Sequence, residues 1–210
     1  MGINTLKKSP AVFLDRDGVV NRNVLNPFTR VWESPLSPEQ VTLTPDAPTA
    51  LRRMRDAGFL LFVVSNQPNY AKGKTSLEML NAIHDRLARI LQESQIEITA
   101  FYYCLHHPHG IVPEYSGVCS CRKPSPFFLW EARDSWNLDM ENSWMIGDRT
   151  TDIECGRAAK VHTIRIVNTE EGNYATNGAV NAEFVTDSLA AAVSIILTAF
   201  SGHRLGIAHN

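Results

Sequence analysis

Short apolar runs alternate with amphipathic stretches along most of the chain. Ala11–Leu14 (AVFL) stops at Asp15, and Leu60–Val64 (LLFVV) stops at Ser65. Thr99–Tyr103 (TAFYY) leads into Cys104, Ser143–Ile146 (SWMI) into Gly147 and Asp148, and Val161–Val167 (VHTIRIV) forms a fifth run. Continuous apolar runs of this length mark strands buried on both faces. Between them lie helical patterns. Pro48–Ala57 is followed by Gly58, a residue suited to a left-handed helix end. Thr75 with Glu78 predicts a capping box, and Leu77, Leu80, Ile83, Leu87 and Leu91 then share one helical face. Ser125 and Pro126 predict the start of a helix over Phe127–Trp136. Further helices are expected over Thr151–Ala159 and, capped by Asp187 or Ser188, to about Phe200 with a core-facing side.

Strands alternating with helices predict an α/β fold: a three-layer, doubly wound, mostly parallel sheet. We expect one domain over 1–210, with its core at about 11–200 and a loose tail after Gly202. Ligands of such sheets bind outside the carboxyl ends of the strands. Three of the runs end there in polar residues, Asp15, Ser65 and Asp148, and a fourth enters a cluster of cysteine and histidine.

Composition narrows the choice of partner. The 210 residues are 44% hydrophobic and 20% charged, with a formal net charge of -2. That supports a real core and argues against disorder. It also lacks the dense Lys/Arg footprint of a nucleic-acid binder. No apolar stretch follows Lys7 and Lys8, so no secretion signal is read. Leu189–Phe200 is shorter than the ~20 residues of a membrane span. A cytoplasmic, monomeric protein with no membrane partner is expected.

Five constellations carry chemistry. In Asp15-Arg16-Asp17-Gly18 two carboxylates stand two positions apart at a strand end. One could attack as a nucleophile and the other could act as general acid and base. An acidic turn closing a strand is the plainer alternative. Ser65-Asn66 offers a hydroxyl and an amide to a phosphoryl oxygen, although both residues are common in turns. Arg122-Lys123-Pro124 places cations before a helix N-terminus, which suits an anion. Gly147-Asp148-Arg149-Thr150-Thr151-Asp152 brings a second strand-end acid, and Asp15 with Asp148 could share a hard cation such as Mg²⁺. A fifth constellation is Cys104-Leu105-His106 with Cys119-Ser120-Cys121. Three thiolates and an imidazole make a closed tetrahedral Zn²⁺ site with no place for water, hence a structural one. It would staple the loop that delivers Arg122 and Lys123. His107 and His109 are competing ligands. Cys155 reads as packing, and so do Trp130 and Trp136.

In order and spacing, the first four constellations resemble the haloacid dehalogenase (HAD) superfamily of phosphatases from Val12 to about Val167. The Cys-x-His and Cys-x-Cys-Arg-Lys-Pro segments, with Asp15–Asn21 and Ser65-Asn66-Gln67, resemble its D-glycero-D-manno-heptose-1,7-bisphosphate phosphatase family and the related histidinol-phosphate phosphatases. The resemblance implies a Mg²⁺-dependent hydrolase of a small phosphorylated metabolite, foremost a sugar phosphate. It makes Asp15 the nucleophile, Asp17 the general acid and base, and Ser65 and Lys123 the phosphoryl binders. It places Asn66, Arg122 and Arg149 on the substrate. Magnesium would be held by Asp15, the Asp17 carbonyl and Asp148, with Asp152 behind them. Zinc falls to Cys104, His106, Cys119 and Cys121. Two segments depart from the family: Gln67-Pro68-Asn69-Tyr70-Ala71-Lys72-Gly73, and the loop from Arg22 to Thr44 with Trp32 and three prolines. No insertion of cap-domain size is present, so an open site shaped by that loop and the zinc loop (104–121) is expected. Alternatives are a histidinol-phosphate phosphatase or another small-phosphate hydrolase of the superfamily, and a non-catalytic zinc-loop interaction module.

Overall fold

The computed structural model describes residues 8–167 and 181–204. Its strands are β1 (Ser9–Leu14), β2 (Val24–Leu25), β3 (Trp32–Glu33), β4 (Leu60–Asn66), β5 (Ala100–Cys104), β6 (Leu138–Gly147), β7 (His162–Ile166) and β8 (Phe184–Thr186). Its helices are α1 (Ala47–Asp56), α2 (Leu77–Glu93), α3 (Phe127–Trp136), α4 (Thr150–Ala158) and α5 (Leu189–Arg204). Six strands form one sheet in the order β5-β4-β1-β6-β7-β8, and every neighbouring pair is parallel. β2 and β3 form a separate antiparallel hairpin between β1 and α1.

Both faces of the sheet are covered, which explains the unbroken apolar runs. Successive side chains of β1 alternate: Val12 and Leu14 join one core with Leu51, Met54, Ile83, Leu87, Val193 and Ile196 from α1, α2 and α5. Ala11 and Phe13 join the other with Leu129, Ala132 and Cys155 from α3 and α4. Phe13 and Phe62 stack across adjacent strands at 5.3 Å. Each fully buried leucine or phenylalanine contributes about 2 kcal/mol of transfer free energy, so this double-sided burial is the main force holding β1 and β4 level. Level central strands put Asp15 and Ser65 side by side.

Several local expectations shift. The cap of α2 is Ser76, whose side chain accepts from the Met79 N–H, and not Thr75. α3 starts one residue later than a Ser125 cap would place it, although Ser125 Oγ accepts from the Phe127 N–H. Ser188 Oγ accepts from the Ala191 N–H at the start of α5, and Asp46, just before the start of α1, accepts from the Ala190 N–H at 2.6 Å. α5 continues to Arg204, and the rest of the tail expected to be loose, residues 205–210, lies outside the described residues. β6 begins directly after α3, because Asn137 turns the chain in a left-handed conformation at φ 49. The sixth strand, β8, was not expected, nor was the β2–β3 hairpin. Among the described residues, no helix is long and apolar enough to cross a membrane.

Candidate active site

The carboxyl ends of β1, β4 and β6 converge on one buried polar cluster. Asp15 leaves β1 and is anchored by its backbone N–H to the Ile146 carbonyl of β6 at 2.9 Å. Gly18 turns the chain back with φ +83, a conformation that glycine adopts freely. A Cβ at Gly18 would also lie 2.8 Å from Asp148 Oδ2. At the other strand end, a Cβ at Gly147 would fall on the Asp152 side chain. These two glycines allow three acids to approach. One carboxylate oxygen each from Asp15, Asp148 and Asp152 lies within 4.8 Å of the others, and all three residues are buried.

Lys123 is the counter-charge. Its Nζ sits 2.9 Å from Asp15 Oδ1 and 2.6 Å from Asp152 Oδ1, and it donates to the Val64 carbonyl at 2.6 Å. All of its donors are thereby engaged at 3% exposure. Asp152 has a second role: its Oδ2 accepts from the Arg149 N–H at the start of α4. Asn66 was expected on the substrate, but its amide grips the chain at Lys123. Its Nδ2 donates to the Lys123 carbonyl and its Oδ1 accepts from the Lys123 N–H, at 3.1 and 3.0 Å. Asn66 also lines the cleft.

The charges shift one another. Burial alone would raise the Asp15 carboxyl, but the charge and hydrogen bond of Lys123, with Arg149, hold it below its ordinary value. Asp148 is pushed well above its ordinary value by burial and then by Asp15 and Asp152. Asp152 is pushed up to about 6 by burial, against the pull of Lys123. Burial disfavours the Lys123 ammonium, yet Asp15 and Asp152 outweigh it and raise its pKa. Three buried acids against one buried ammonium and the exposed Arg149 leave negative charge in excess. The donor set is all hard oxygen. It therefore suits Mg²⁺, which takes carboxylate and water ligands, better than a softer ion.

Asp17 lies beside this cluster, not in it. Its carboxylate accepts from Arg16, Asn21 and Gln67. Ser65 Oγ accepts from Gln67 Nε2 at 3.0 Å. Arg16 and Gln67 are components the sequence reading missed. Both residues stand in the quoted motifs, but their role shows only in the contacts between Gln67 and the Arg16-Asp17 pair, which span 50 and 51 positions.

Above the acids opens a cleft of about 1070 Å³. Its walls include Asp15, Asp17, Ser65, Lys123 and Asp152 at the floor, Val31, Trp32 and Glu33 of the hairpin, and Gly117 and Val118 of the loop after β5. Lys72, Arg122 and Arg149 form its cationic side. Partial burial, then Lys74, Arg122 and Arg149, lower the Lys72 pKa, because these cations crowd one side of the cleft. The hairpin is pinned by Lys74 Nζ to Glu33 Oε2 at 2.6 Å.

The thiol cluster closes one wall. Sγ atoms of Cys104, Cys119 and Cys121 lie 3.2 to 3.6 Å apart. His106 Nδ1 is 3.7 Å from Cys121 Sγ and 4.0 Å from Cys104 Sγ. Ligands on a tetrahedron with Zn–S of about 2.3 Å stand about 3.7 Å apart, so these spacings lie within about 0.5 Å of those of a tetrahedral zinc site. His107 instead accepts from the His109 N–H and is no part of the cluster. Cys155 is buried packing, and its Sγ contacts the Ser125 carbonyl. Arg122 Nη1 donates to the His106 carbonyl, so the cluster is tied to the cationic side of the cleft.

A family profile described as HAD-hydrolase-like matches residues 120–192, from the second thiol pair through α4 and into α5. Fold and site together define a HAD-like phosphatase. The D-glycero-beta-D-manno-heptose-1,7-bisphosphate 7-phosphatase of Escherichia coli K12 is 36% identical over 185 residues, covering 88% of this chain and 92% of that protein. The D-glycero-alpha-D-manno-heptose-1,7-bisphosphate 7-phosphatase of Photorhabdus laumondii is 33% identical over 162 residues, 77% of this chain and 84% of that protein. The crystal structure of D,D-heptose 1,7-bisphosphate phosphatase from B. bronchiseptica, complexed with magnesium and phosphate, superposes with a TM-score of 0.74 at 25% identity, covering 90% of this chain and 99% of that one. The chain belongs to the heptose-1,7-bisphosphate 7-phosphatase family.

Proposed function

We propose that the protein removes the 7-phosphate of a D-glycero-D-manno-heptose 1,7-bisphosphate, with Asp15 as nucleophile. The observation that carries this reading is the buried Asp15–Lys123–Asp152 array at the floor of a cleft whose side is cationic. Asp15, kept ionised by Lys123, attacks phosphorus with an oxygen lone pair. The bond from phosphorus to the sugar oxygen breaks, and Asp17 gives that oxygen a proton. Water then attacks the phosphorus of the aspartyl-phosphate and returns a proton to Asp17. The Asp15 oxygen–phosphorus bond breaks and inorganic phosphate leaves. Ser65 and Lys123 bind the phosphoryl oxygens, Lys123 giving up one of its present acceptors to do so.

Asp15, Asp148 and the Asp17 carbonyl would hold Mg²⁺, with Asp152 orienting Lys123. When bound, the ion neutralises charge between carboxylate and phosphate. Zinc on Cys104, His106, Cys119 and Cys121 is structural, because four protein ligands leave no open position. Lys72, Arg122 and Arg149 supply charge for the second phosphate, which a monophosphate would leave unused.

The test is phosphorus NMR of the reaction with each heptose 1,7-bisphosphate anomer and with histidinol phosphate. Loss of the 7-phosphate signal, with the 1-phosphate retained, is expected. Preferential hydrolysis of histidinol phosphate would overturn the substrate, and loss of the 1-phosphate would overturn the regiochemistry.

A further inference from the structure

Arg16 and Gln67 stand directly behind the reacting groups. They are 2% and 1% exposed, and neither lines the cleft. Arg16 Nε donates to Asp17 Oδ1 at 3.0 Å, and Nη2 donates to Oδ2 at 3.2 Å. The same Nη2 reaches Gln67 Oε1 at 2.7 Å. Gln67 Nε2 donates to Asp17 Oδ2 at 2.6 Å and to Ser65 Oγ at 3.0 Å. Asn21 Nδ2 completes the set on Oδ1 at 3.0 Å. A carboxylate offers about four acceptor sites, and all four have donors here, so the donors fix the plane of the ionised form and one of them gives up its site when Asp17 takes up its proton. The Arg16 guanidinium is in turn held under the Tyr103 ring, 5.6 Å from its centroid, and the Tyr103 hydroxyl meets His84 Nδ1 at 3.2 Å.

The chemistry fixes each direction. The Gln67 amide must present oxygen to the guanidinium and nitrogen to the carboxylate, so it has one orientation. Ser65 Oγ then acts as acceptor toward Gln67. Its own O–H is left to point toward Asp15 or a phosphoryl oxygen. One amide thus ties the proton-transfer residue at the end of β1 to the phosphoryl binder at the end of β4.

We propose that Arg16 and Gln67 are positioning residues for this reaction: they hold the Asp17 carboxyl and the Ser65 hydroxyl in their working orientations without touching substrate. The proposal rests on the phosphatase reading above. Asp17 acts in both half-reactions, so the variants should reveal which half needs it. A sugar alkoxide leaves poorly and needs its proton, whereas 4-nitrophenolate leaves without one.

The test uses the full chain with Mg²⁺. Gln67→Glu is isosteric and faces Asp17 with an acceptor in place of a donor. On heptose 1,7-bisphosphate it is expected to lose about 10²-fold in kcat with KM little changed. On 4-nitrophenyl phosphate it is expected to give a burst of one nitrophenolate per site, absent in the wild type, because Asp15 is still phosphorylated while water attack is slow. Gln67→Met, which keeps shape and adds no charge, carries the same test should Gln67→Glu fail to fold. Arg16→Lys, which keeps charge but not the fork, is expected to fall between wild type and Gln67→Glu. Equal loss on both substrates with no burst, or no loss on either, overturns the positioning role. A wild type inactive on both substrates overturns the phosphatase reading itself.

Discussion

Replacing Asp148 by asparagine is expected to stabilise the metal-free protein while disabling it. The change is nearly isosteric and removes one of three buried negative charges. The acid oxygens lie within 4.8 Å of one another. Two like charges at that outer limit repel by about 3.5 kcal/mol at an effective dielectric constant near 20. Asp148 faces two such neighbours, and Arg149 and Lys123 offset part of the repulsion. A net gain on the order of 2–4 kcal/mol remains in the absence of a divalent cation. At about 2–4 °C per kcal/mol for a chain of this size, Asp148→Asn in EDTA at neutral pH is expected to melt roughly 5–15 °C above wild type. The pH dependence follows from the direction of the shifts. Asp148 and Asp152 are raised in the fold, Asp152 to about 6, so each costs stability above its folded pKa and stops costing below its ordinary value. Metal-free wild type is therefore expected to gain stability as pH falls from neutral through about 6 toward the ordinary carboxyl range. The variant gains less. Asp15 is held low and works in the opposite sense, with its contribution lost only below its ordinary value. Mg²⁺ at about 100 times its Kd adds about 2.7 kcal/mol to a protein that binds it, and wild type is expected to show this where the variant does not. Calorimetry at neutral and mildly acidic pH, with EDTA or Mg²⁺, measures all four quantities. A variant less stable than wild type in EDTA at neutral pH, or stabilised by Mg²⁺ equally, refutes the reasoning.

Three further outcomes are expected. Lys123→Met leaves Asp15 and Asp152 buried without their ammonium, and denaturant titration at neutral pH is expected to show a loss of about 3–5 kcal/mol. Gly18→Ala meets a φ of +83 and Asp148 Oδ2 at 2.8 Å; about 1–2 kcal/mol of backbone strain alone, and a fall in kcat, are expected from melting and initial-rate data. Purified protein is expected to carry one zinc per chain by mass spectrometry, and Cys119→Ser is expected to lower both its zinc content and its Tm.

The parts of this molecule that were legible in the sequence are those with local causes. β1 and β4 read as strands because both of their faces are buried, and their ends were found because Asp15 and Ser65 break the apolar runs. The thiol and imidazole cluster was legible because its ligand spacing is set by short segments, Cys104-Leu105-His106 and Cys119-Ser120-Cys121. β8 was not legible: it is three residues long, and Phe184 and Val185 are 39% and 58% exposed, so it has no buried pattern to read. β2 and β3 have two residues each and follow from the Glu33 contacts to Lys74 and Asn26 more than from propensity. Thr75 and Ser76 are chemically alike as caps, and backbone geometry chose Ser76. The pairing of Asn66 with the backbone at Lys123 was not legible, since it spans 57 positions. Arg16 and Gln67 escaped for the same reason.

The central claim is that Asp15 drives hydrolysis of a sugar bisphosphate in the cationic cleft. The most direct measurement is the initial rate of phosphate release from the two heptose 1,7-bisphosphate anomers, with Mg²⁺, by wild type and by Asp15→Asn. Rapid release of one phosphate from at least one anomer, lost in Asp15→Asn while the variant keeps its fold, is the predicted result. Equal rates for the two proteins, or no release by a wild type that binds Mg²⁺, would contradict it.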